Sequence, residues 1–132
     1  MLSPVMCLAA AIFFEARDQH PDGQYAVANV VINRVESPRW PNDICSVVFQ
    51  ERAFSFTHDG KSDRYWTYTD NYFDRKAIDT AEKIAISVIN GDTLGLTSTH
   101  YHATYVEPFW TSYYEVDGRV GDHIFYTAPD GM

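Results

Sequence analysis

The pattern of apolar and polar residues predicts helices in the first two thirds of the chain and strands in the last third. The predicted helices cover residues 5–17, 24–35, 44–50 and 74–90. The last of these is the clearest amphipathic helix, because one face collects Ala77, Ala81, Ile84, Ala85 and Val88. Its polar face is expected to meet solvent.

Helix ends are marked by residues that cap or stop a helix. Ser3 is the predicted N-cap of the first helix, with Pro4 as its first residue. A turn and cap are expected at Asp22-Gly23 before the second helix, and Asn42 or Asp43 is expected to cap the third. Gly91 is placed to end the fourth helix.

The remaining segments predict a long loop followed by a small sheet. Residues 53–73 mix aromatic, charged and Gly residues without sustained periodicity, which predicts a loop that lines a site. Residues 97–106 and 112–126 are rich in Thr, Tyr, Val and Phe, which favour strands, and Asp117-Gly118 predicts a two-residue hairpin turn. The fold class is therefore α+β, with helices packed on an antiparallel sheet formed mainly by the C-terminal third.

Length and charge narrow the range of functions. The 132 residues, of which 45% are hydrophobic, suit one compact domain over residues 1–132, expected to be monomeric. A formal charge of −8 argues against nucleic-acid partners, and the apolar run at 4–14 is too short to span a bilayer, so no membrane insertion is expected. Cys7 and Cys45 form no disulfide framework and are predicted to be buried free thiols.

Glu15 is the first charged residue of the chain and a candidate acid. Leu8, Ala11 and Ile12 lie on its own face of the predicted helix, so its carboxyl sits beside apolar surface. Desolvation disfavours the charged form, and a carboxyl in this place could stay protonated near neutral pH and act as a general acid. The alternative is a structural glutamate at a helix end, paired with Arg17, Arg34 or solvent.

Aromatic and histidine residues supply the other candidates for chemistry. The aromatic content of 15% is high, and aromatic faces suit sugar rings, although strands favour such residues in any case. The pair His100 and His102, with His58 and His123 elsewhere, could bind a metal, but no H-E-x-x-H motif or Cys cluster supports this, so no metal or other cofactor is predicted. No glycine-rich phosphate loop or G-x-S-x-G motif is present either.

A set of motifs in fixed order resembles the cell wall hydrolase family typified by the spore cortex-lytic enzyme SleB. The matching stretches are Cys7-Leu8-Ala9, Phe14-Glu15-Ala16-Arg17, Gly23-Gln24-Tyr25-Ala26-Val27-Ala28, Val30-Val31-Ile32-Asn33-Arg34-Val35, Trp40-Pro41, Cys45 to Gln50, Phe54-Ser55-Phe56, Thr99-His100-Tyr101-His102, Pro108-Phe109-Trp110 and Gly121 to Tyr126. They extend over nearly the whole chain, and the combination is far more specific than any single motif in it.

The resemblance implies a lysozyme-like domain that cleaves the β-1,4 bond between N-acetylmuramic acid and N-acetylglucosamine in bacterial peptidoglycan. It implies a lytic transglycosylase, with Glu15 as general acid and base because Glu15 matches the glutamate of the family's E-A-R motif. The family usually reads E-A-R-G-E, whereas this chain has Asp18-Gln19 after Arg17. This departure places the local geometry and the substrate contacts in question more than the reaction class.

The matching motifs also supply the expected substrate-binding residues. These are Gln24, Phe54, Ser55, Tyr101, His102 and Tyr126. A lysozyme-type hydrolase of the same bond is an alternative, with Asp59 or Asp122 as second carboxylate. Two further alternatives are a non-catalytic sugar-binding module and a metal-dependent amidase or peptidase that uses His100, His102 and His123.

The N-terminus carries no pattern typical of export. No Lys or Arg precedes the first apolar run, so no signal peptide is predicted. The expectation is a phage-type endolysin made in the host cytoplasm and acting on the cell wall. A domain trimmed from a secreted protein is the alternative.

Overall fold

The computed structural model describes residues 2–50 and 54–129. Within this part of the chain lie four α-helices and three strands, which confirms the predicted α+β class. The helices are α1 (Pro4–Ala16), α2 (Pro21–Glu36), α3 (Ile44–Val48) and α4 (Tyr72–Ile89), and the strands are β1 (His100–Ala103), β2 (Glu115–Val120) and β3 (His123–Thr127). Three short 3-10 helices cover Ser55–His58, Tyr65–Thr67 and Phe109–Ser112.

Helix α1 is the centre of the hydrophobic core. Every residue from Cys7 to Phe13 is buried, because α2, α3 and α4 all pack against this helix. A helix that is apolar on all sides must be enclosed in this way. Its start is as predicted, with the Ser3 hydroxyl accepting a hydrogen bond from the Met6 amide at 3.2 Å and Pro4 in the first turn. In the described ranges no helix has the length and apolar character needed to cross a membrane.

Helix α2 begins earlier than predicted. Pro21 is its first residue, and the His20 ring accepts a hydrogen bond from the Asp22 amide at 3.3 Å. The turn predicted at Asp22-Gly23 is therefore wrong, because both residues are already helical. Gly23 instead allows close packing, since a Cβ there would lie 3.0 Å from Cβ of Gln19.

Short polar side chains cap the N-termini of α3 and α4. Asp43 caps α3 as predicted, with its carboxylate accepting from the Ser46 amide at 3.0 Å. Helix α4 starts two residues before the predicted Asp74, because Asn71 accepts from the Asp74 amide at 2.8 Å. The chain leaves α4 through Gly91, whose φ of 111° is a conformation that L side chains rarely adopt.

The sheet is antiparallel with the order β1-β3-β2. The predicted hairpin turn at Asp117-Gly118 is wrong, because these residues lie inside β2 at an irregularity in its pairing with β3. The Asp117 carboxylate is held there by the hydroxyls of Ser98 at 2.5 Å and Thr127 at 2.7 Å. Gly121 and its neighbour Asp122 form the turn instead. A bulge glycine and a turn glycine give the same signal in the sequence.

Two asparagines of α2 hold the segment that leads into the sheet. The side-chain oxygen of Asn29 accepts from the Leu94 amide at 2.9 Å. Asn33 donates to the carbonyl oxygens of Leu96 and Ser98 at 2.8 and 2.9 Å. These bonds satisfy backbone groups that enter no sheet, and they fix the position from which β1 starts.

Cys7 and Cys45 form a disulfide between α1 and α3, so the prediction of free thiols is wrong. Packing of α3 on α1 brings the two Cα atoms to 5.2 Å although 38 positions separate the residues in the chain. In the chain-entropy account, a loop of that length gives about 4 kcal/mol of stabilisation. The spacing of two cysteines says nothing about such proximity, which depends on tertiary packing.

The Gln19 side chain joins the end of α1 to the β2–β3 turn. Its oxygen accepts from the Asp122 amide at 2.9 Å, and its nitrogen donates to the Asp122 carboxylate at 3.2 Å. Gly121 makes room for this contact, because a Cβ at this position would lie 2.3 Å from the Gln19 oxygen. Glutamine suits this place where the resembling family carries glutamate, since a glutamate could not donate to Asp122.

Substituting Gly121 by Ala tests this connection. Gly60→Ala is the matched control, because Gly60 also has positive φ but a Cβ there would meet nothing within 4 Å. We expect Gly60→Ala to lower the free energy of unfolding by about 1 kcal/mol through backbone strain, and Gly121→Ala by about 2 to 3 kcal/mol because the clash with Gln19 adds to it. Equal losses in urea-unfolding measurements would show that the Gln19 amide moves aside at no cost, which would contradict a stabilising connection to Asp122.

Candidate active site

The carboxyl of Glu15 lies in the last turn of α1, where the apolar helix reaches the sheet. The hydroxyl of Tyr101, on β1, donates a hydrogen bond to Oε1 of Glu15. Tyr101 is in turn held by stacking on Phe125 of β3, with ring centroids 5.4 Å apart, and by the edge of the His123 ring at 5.0 Å. The carboxyl orientation is thus set by a side chain that the sheet itself immobilises.

Burial shifts the pKa values of both partners upward. Desolvation raises the pKa of Glu15 above its usual value of 4.5, while the Tyr101 hydrogen bond and the charge of Arg34 oppose that shift. Desolvation, with the neighbouring Glu15 charge, raises the pKa of Tyr101 well above 10.0. Glu15 is therefore a carboxyl that keeps its proton to higher pH than an exposed glutamate, next to a tyrosine that remains a donor.

Arg34 is a buried cation close to this pair. Its Nε donates to the Thr99 carbonyl at 2.8 Å, and its guanidinium lies over the rings of Trp40 and Phe54 at 5.4 and 5.5 Å. Burial lowers the pKa of Arg34, and the charges of Tyr101 and Glu15 oppose this. A fixed positive charge of this kind stabilises the carboxylate form of Glu15 once its proton has left.

His102 is fixed by two hydrogen bonds. Nδ1 lies 2.7 Å from the Ala103 carbonyl oxygen, which can only accept, so Nδ1 carries a proton. Nε2 lies 2.8 Å from the Tyr126 hydroxyl and accepts from it when the ring is neutral. The two rings also stack, with centroids 5.3 Å apart. Tyr126 is therefore the residue that orients His102.

Glu15 lies between two open cavities that together form a groove. One cavity, of about 390 Å³, is lined by Phe14, Glu15, Arg34, Phe54, Tyr101, His102, Ala103, Tyr105, Val106 and His123. The other, of about 550 Å³, is lined by Phe14, Glu15, Arg17, Asp18, Phe56, Asp59, Lys61 and Tyr68. Because Phe14 and Glu15 line both, a ligand in the groove can extend to either side of the carboxyl.

The residues predicted from the sequence occupy different parts of this region. Phe54, Tyr101 and His102 line the 390 Å³ cavity with Glu15, and Tyr126 lies behind His102. Gln24 lines neither cavity that contains Glu15; it is buried, and its amide donates to the Gln19 carbonyl at 3.1 Å. The side chain of Ser55 lies outside the described part of the structure.

Some groove residues were missed in the sequence. Arg34, which the sequence offers as an ion-pair partner of a structural Glu15, lines the cavity and affects the pKa of that carboxyl. Tyr105 and Val106 also line the cavity, and 86% of the Tyr105 surface is exposed. The available signal was an aromatic residue near the end of the predicted strand segment 97–106. Nothing in the sequence indicated that it would face Glu15.

The histidines that the sequence offers as metal ligands make separate contacts with other side chains and backbone groups. His100 packs against Trp40, Trp110 and Tyr114, and burial lowers its pKa to about 4. Both ring nitrogens of His102 already have hydrogen-bond partners. Among the side chains that the structure describes, no group of three or more His, Cys, Asp or Glu is arranged to hold a metal ion; the side chain of His58 lies outside them.

Comparison with known sequences identifies relatives over almost the whole chain. The spore cortex-lytic enzyme of Bacillus cereus is 31% identical over 92% of this chain, and that of Halalkalibacterium halodurans is 30% identical over the same share. The chain spans 43% and 34%, respectively, of the length of these two relatives.

Solved structures show the same fold. The catalytic domain of the germination-specific lytic transglycosylase SleB from Bacillus anthracis superposes with a TM-score of 0.75 and 29% identity, covering 94% of this chain and 93% of that domain. The catalytic domain of SleB from Bacillus cereus gives a TM-score of 0.74, also at 29% identity, covering 94% and 89%. The lysozyme-like fold implied by the motifs is thereby confirmed.

A sequence profile of the family described as Cell Wall Hydrolase matches residues 18–126. The match starts just after Glu15, so the role of that residue is a separate question that its geometry must answer. Together with the relatives above, the match covers more than half of the chain, and the chain belongs to the cell wall hydrolase family.

Proposed function

We propose that this domain cleaves the β-1,4 bond between N-acetylmuramic acid and N-acetylglucosamine in peptidoglycan as a lytic transglycosylase, with Glu15 as general acid and base. The observation that carries the proposal is a largely buried carboxyl, with its pKa raised by desolvation, that lines two adjoining open cavities. The name of the Bacillus anthracis relative, a lytic transglycosylase, supports the reaction type.

In the first step, protonated Glu15 donates its proton to the glycosidic oxygen. The bond from that oxygen to the anomeric carbon of the muramic acid breaks, and positive charge develops on the ring as in other glycoside cleavages. Glu15 then carries the negative charge. Tyr101 and Arg34 stabilise this carboxylate, which also lies close to the cation that forms on the sugar.

In the second step, the Glu15 carboxylate takes the proton of the muramic acid's own C6 hydroxyl. The C6 oxygen attacks the anomeric carbon and closes a 1,6-anhydro ring, and Glu15 regains its proton for the next cycle. The reaction needs no water and no second carboxylate. The environment of Glu15 suits both steps, because burial favours the acid while Tyr101 and Arg34 favour the base.

Hydrolysis of the same bond is the second candidate. Asp59 lines the 550 Å³ cavity together with Glu15, so a carboxylate is available on one side of the groove to assist an attacking water. The exposed Asp59 accepts a hydrogen bond from the Lys61 amide at 2.9 Å. The two reactions leave different sugar ends and are separated by their products.

The groove walls supply contacts for an uncharged glycan. In the 390 Å³ cavity the exposed ring of Tyr105 offers aromatic surface, while Phe54 and Tyr101 line the wall. His102 lines the same wall in an orientation that Tyr126 fixes. Ser55 and Gln24 stay predicted contacts on the strength of their motifs. Local contacts of this kind are needed because the chain has a net charge of −8 and is not attracted electrostatically to an anionic cell wall.

The products of purified peptidoglycan test the proposal. We expect soluble fragments that end in 1,6-anhydro-muramic acid, and we expect Glu15→Gln to reduce their release by about 10²- to 10⁴-fold, because a general acid contributes about that factor. Mass spectrometry separates these fragments from reducing ends, which would indicate hydrolysis. Unchanged release by Glu15→Gln would contradict the role of Glu15, and a wild-type protein that binds without releasing fragments would indicate a sugar-binding module.

The pH profile of kcat/KM tests how desolvation and the Tyr101 hydrogen bond set the pKa of Glu15. Activity requires the protonated carboxyl, so kcat/KM is expected to fall as pH rises through the pKa of Glu15, which lies above 4.5. The Tyr101 hydrogen bond lowers that pKa, so Tyr101→Phe should move the alkaline limb to higher pH. The control is Tyr105→Phe, in the same cavity, which should leave the limb in place. A limb that moves to lower pH in Tyr101→Phe would contradict the assignment.

A further inference from the structure

The groove continues beyond the two cavities that contain Glu15. A third cavity, of about 460 Å³, is lined by Arg17, Asp18, Gln24, Phe73, Asp74, Lys76, Ala77 and Thr80. Arg17 and Asp18 also line the 550 Å³ cavity, so the two are neighbours along one surface. A strand that passes over Glu15 and fills the second cavity is led towards the third.

The rim of the third cavity carries an exposed aromatic ring. Phe73 lies in the first turn of α4, and 80% of its surface is exposed, whereas Ala81, Ile84, Ala85 and Val88 further along the helix are buried. Tyr72 beside it is 58% exposed, and the two rings meet edge to face at 5.9 Å. An exposed ring such as Phe73, at the edge of a cavity that combines apolar surface with charged side chains, is suited to stacking on a sugar face.

The charged and hydroxyl groups of the lining suit a sugar that carries an acidic substituent. Arg17 is paired with Asp74 at 3.6 Å, whereas the Lys76 ammonium lies 5.8 Å from the centre of the Tyr72 ring. Thr80 and Asp18 provide groups for sugar hydroxyls. The cavity is also lined by Asp18 and Asp74, but Asp74 is paired with Arg17, so Lys76 provides the positive charge for a ligand carboxylate.

From this arrangement we infer that the third cavity is a distal glycan subsite, in which Phe73 stacks on a sugar remote from the cleaved bond and Lys76 binds a carboxylate of the attached stem peptide. The inference rests on the proposed function, because it takes a peptidoglycan strand as the occupant of the groove. It predicts that long strands bind better than short ones, and that peptide-bearing strands bind better than bare glycan.

Binding to a Glu15→Gln background measures the subsite without catalysis. The probes are soluble, uncrosslinked glycan strands of two and of six disaccharide units, with and without stem peptides, titrated by calorimetry. Phe73→Ala is compared with Phe109→Ala, because Phe109 is similarly exposed, at 86%, and lines none of the three cavities. Both substitutions remove an exposed ring, so both variants are expected to fold, which their thermal unfolding checks.

We expect Phe73→Ala to weaken binding of the long strands by about threefold to tenfold, as loss of one aromatic contact does, and to leave binding of the short strands unchanged. Phe109→Ala should change neither. Lys76→Gln should weaken binding only where stem peptides are present. Its control is Lys83→Gln on the same helix, whose ammonium is paired with Asp79 at 2.9 Å, and which should have no effect.

Equal affinities of Phe73→Ala and Phe109→Ala for the long strands would overturn the subsite, and so would a loss by Phe73→Ala that is the same on short and long strands. The proposed function fails separately, through the absence of product from the wild-type enzyme. A wild type that releases anhydro fragments, with Phe73→Ala indistinguishable from Phe109→Ala, would refute the subsite alone. A background protein that binds no strand of either length would refute the subsite as well.

Discussion

Burial of the Glu15 carboxyl at the end of an apolar helix is the constraint on which the rest of the site depends. A carboxyl in this position resists ionisation, and its folded environment must also tolerate the carboxylate that proton donation would create. The fold meets both demands with two contacts from different elements. Tyr101 donates to the carboxyl from β1, and Arg34 brings a buried positive charge from α2.

The architecture serves to bring these groups together. Helix α1 is enclosed by the other helices, and the disulfide from Cys7 to Cys45 fixes its first turns to α3. Its last turn is fixed to the sheet by Gln19, which holds the turn that precedes His123. Asn29 and Asn33 secure the segment that leads into β1, and with it the position of Tyr101. Distant parts of the sequence thus determine the surroundings of one carboxyl.

Much of the fold could be predicted because its signals are local. The Ser3 cap, the amphipathic face of α4 and the strand-rich last third depend on nearby residues, and each was read correctly from the sequence. The wrong predictions concern features that depend on contacts between residues distant in the sequence. The disulfide needs α3 to pack on α1, and the Asp117-Gly118 signal became a bulge because side chains of Ser98 and Thr127 hold Asp117.

The candidate site also combines residues that the sequence indicates with residues whose role depends on tertiary packing. Glu15 could be singled out from its own helical face and from a family resemblance, whereas the contribution of Arg34 depends on burial that no spacing reveals. The departure from the family motif at Asp18-Gln19 gained a meaning only in three dimensions, where Gln19 donates to Asp122. In the sequence, glutamine at this position is only the loss of a charge. In the structure, it connects the end of α1 to the β2–β3 turn.

The protonation of Glu15 itself is the most direct measure of this account. Carbon-13 labelling of glutamate side chains, with Glu15→Gln to assign the signal, would follow the titration of this carboxyl by NMR in the folded protein. We expect a pKa above 4.5, because desolvation outweighs the opposing effects of Tyr101 and Arg34. A carboxyl that titrates at or below 4.5 would contradict this expectation, because burial would then not favour the protonated form that the proposed role of Glu15 as general acid requires.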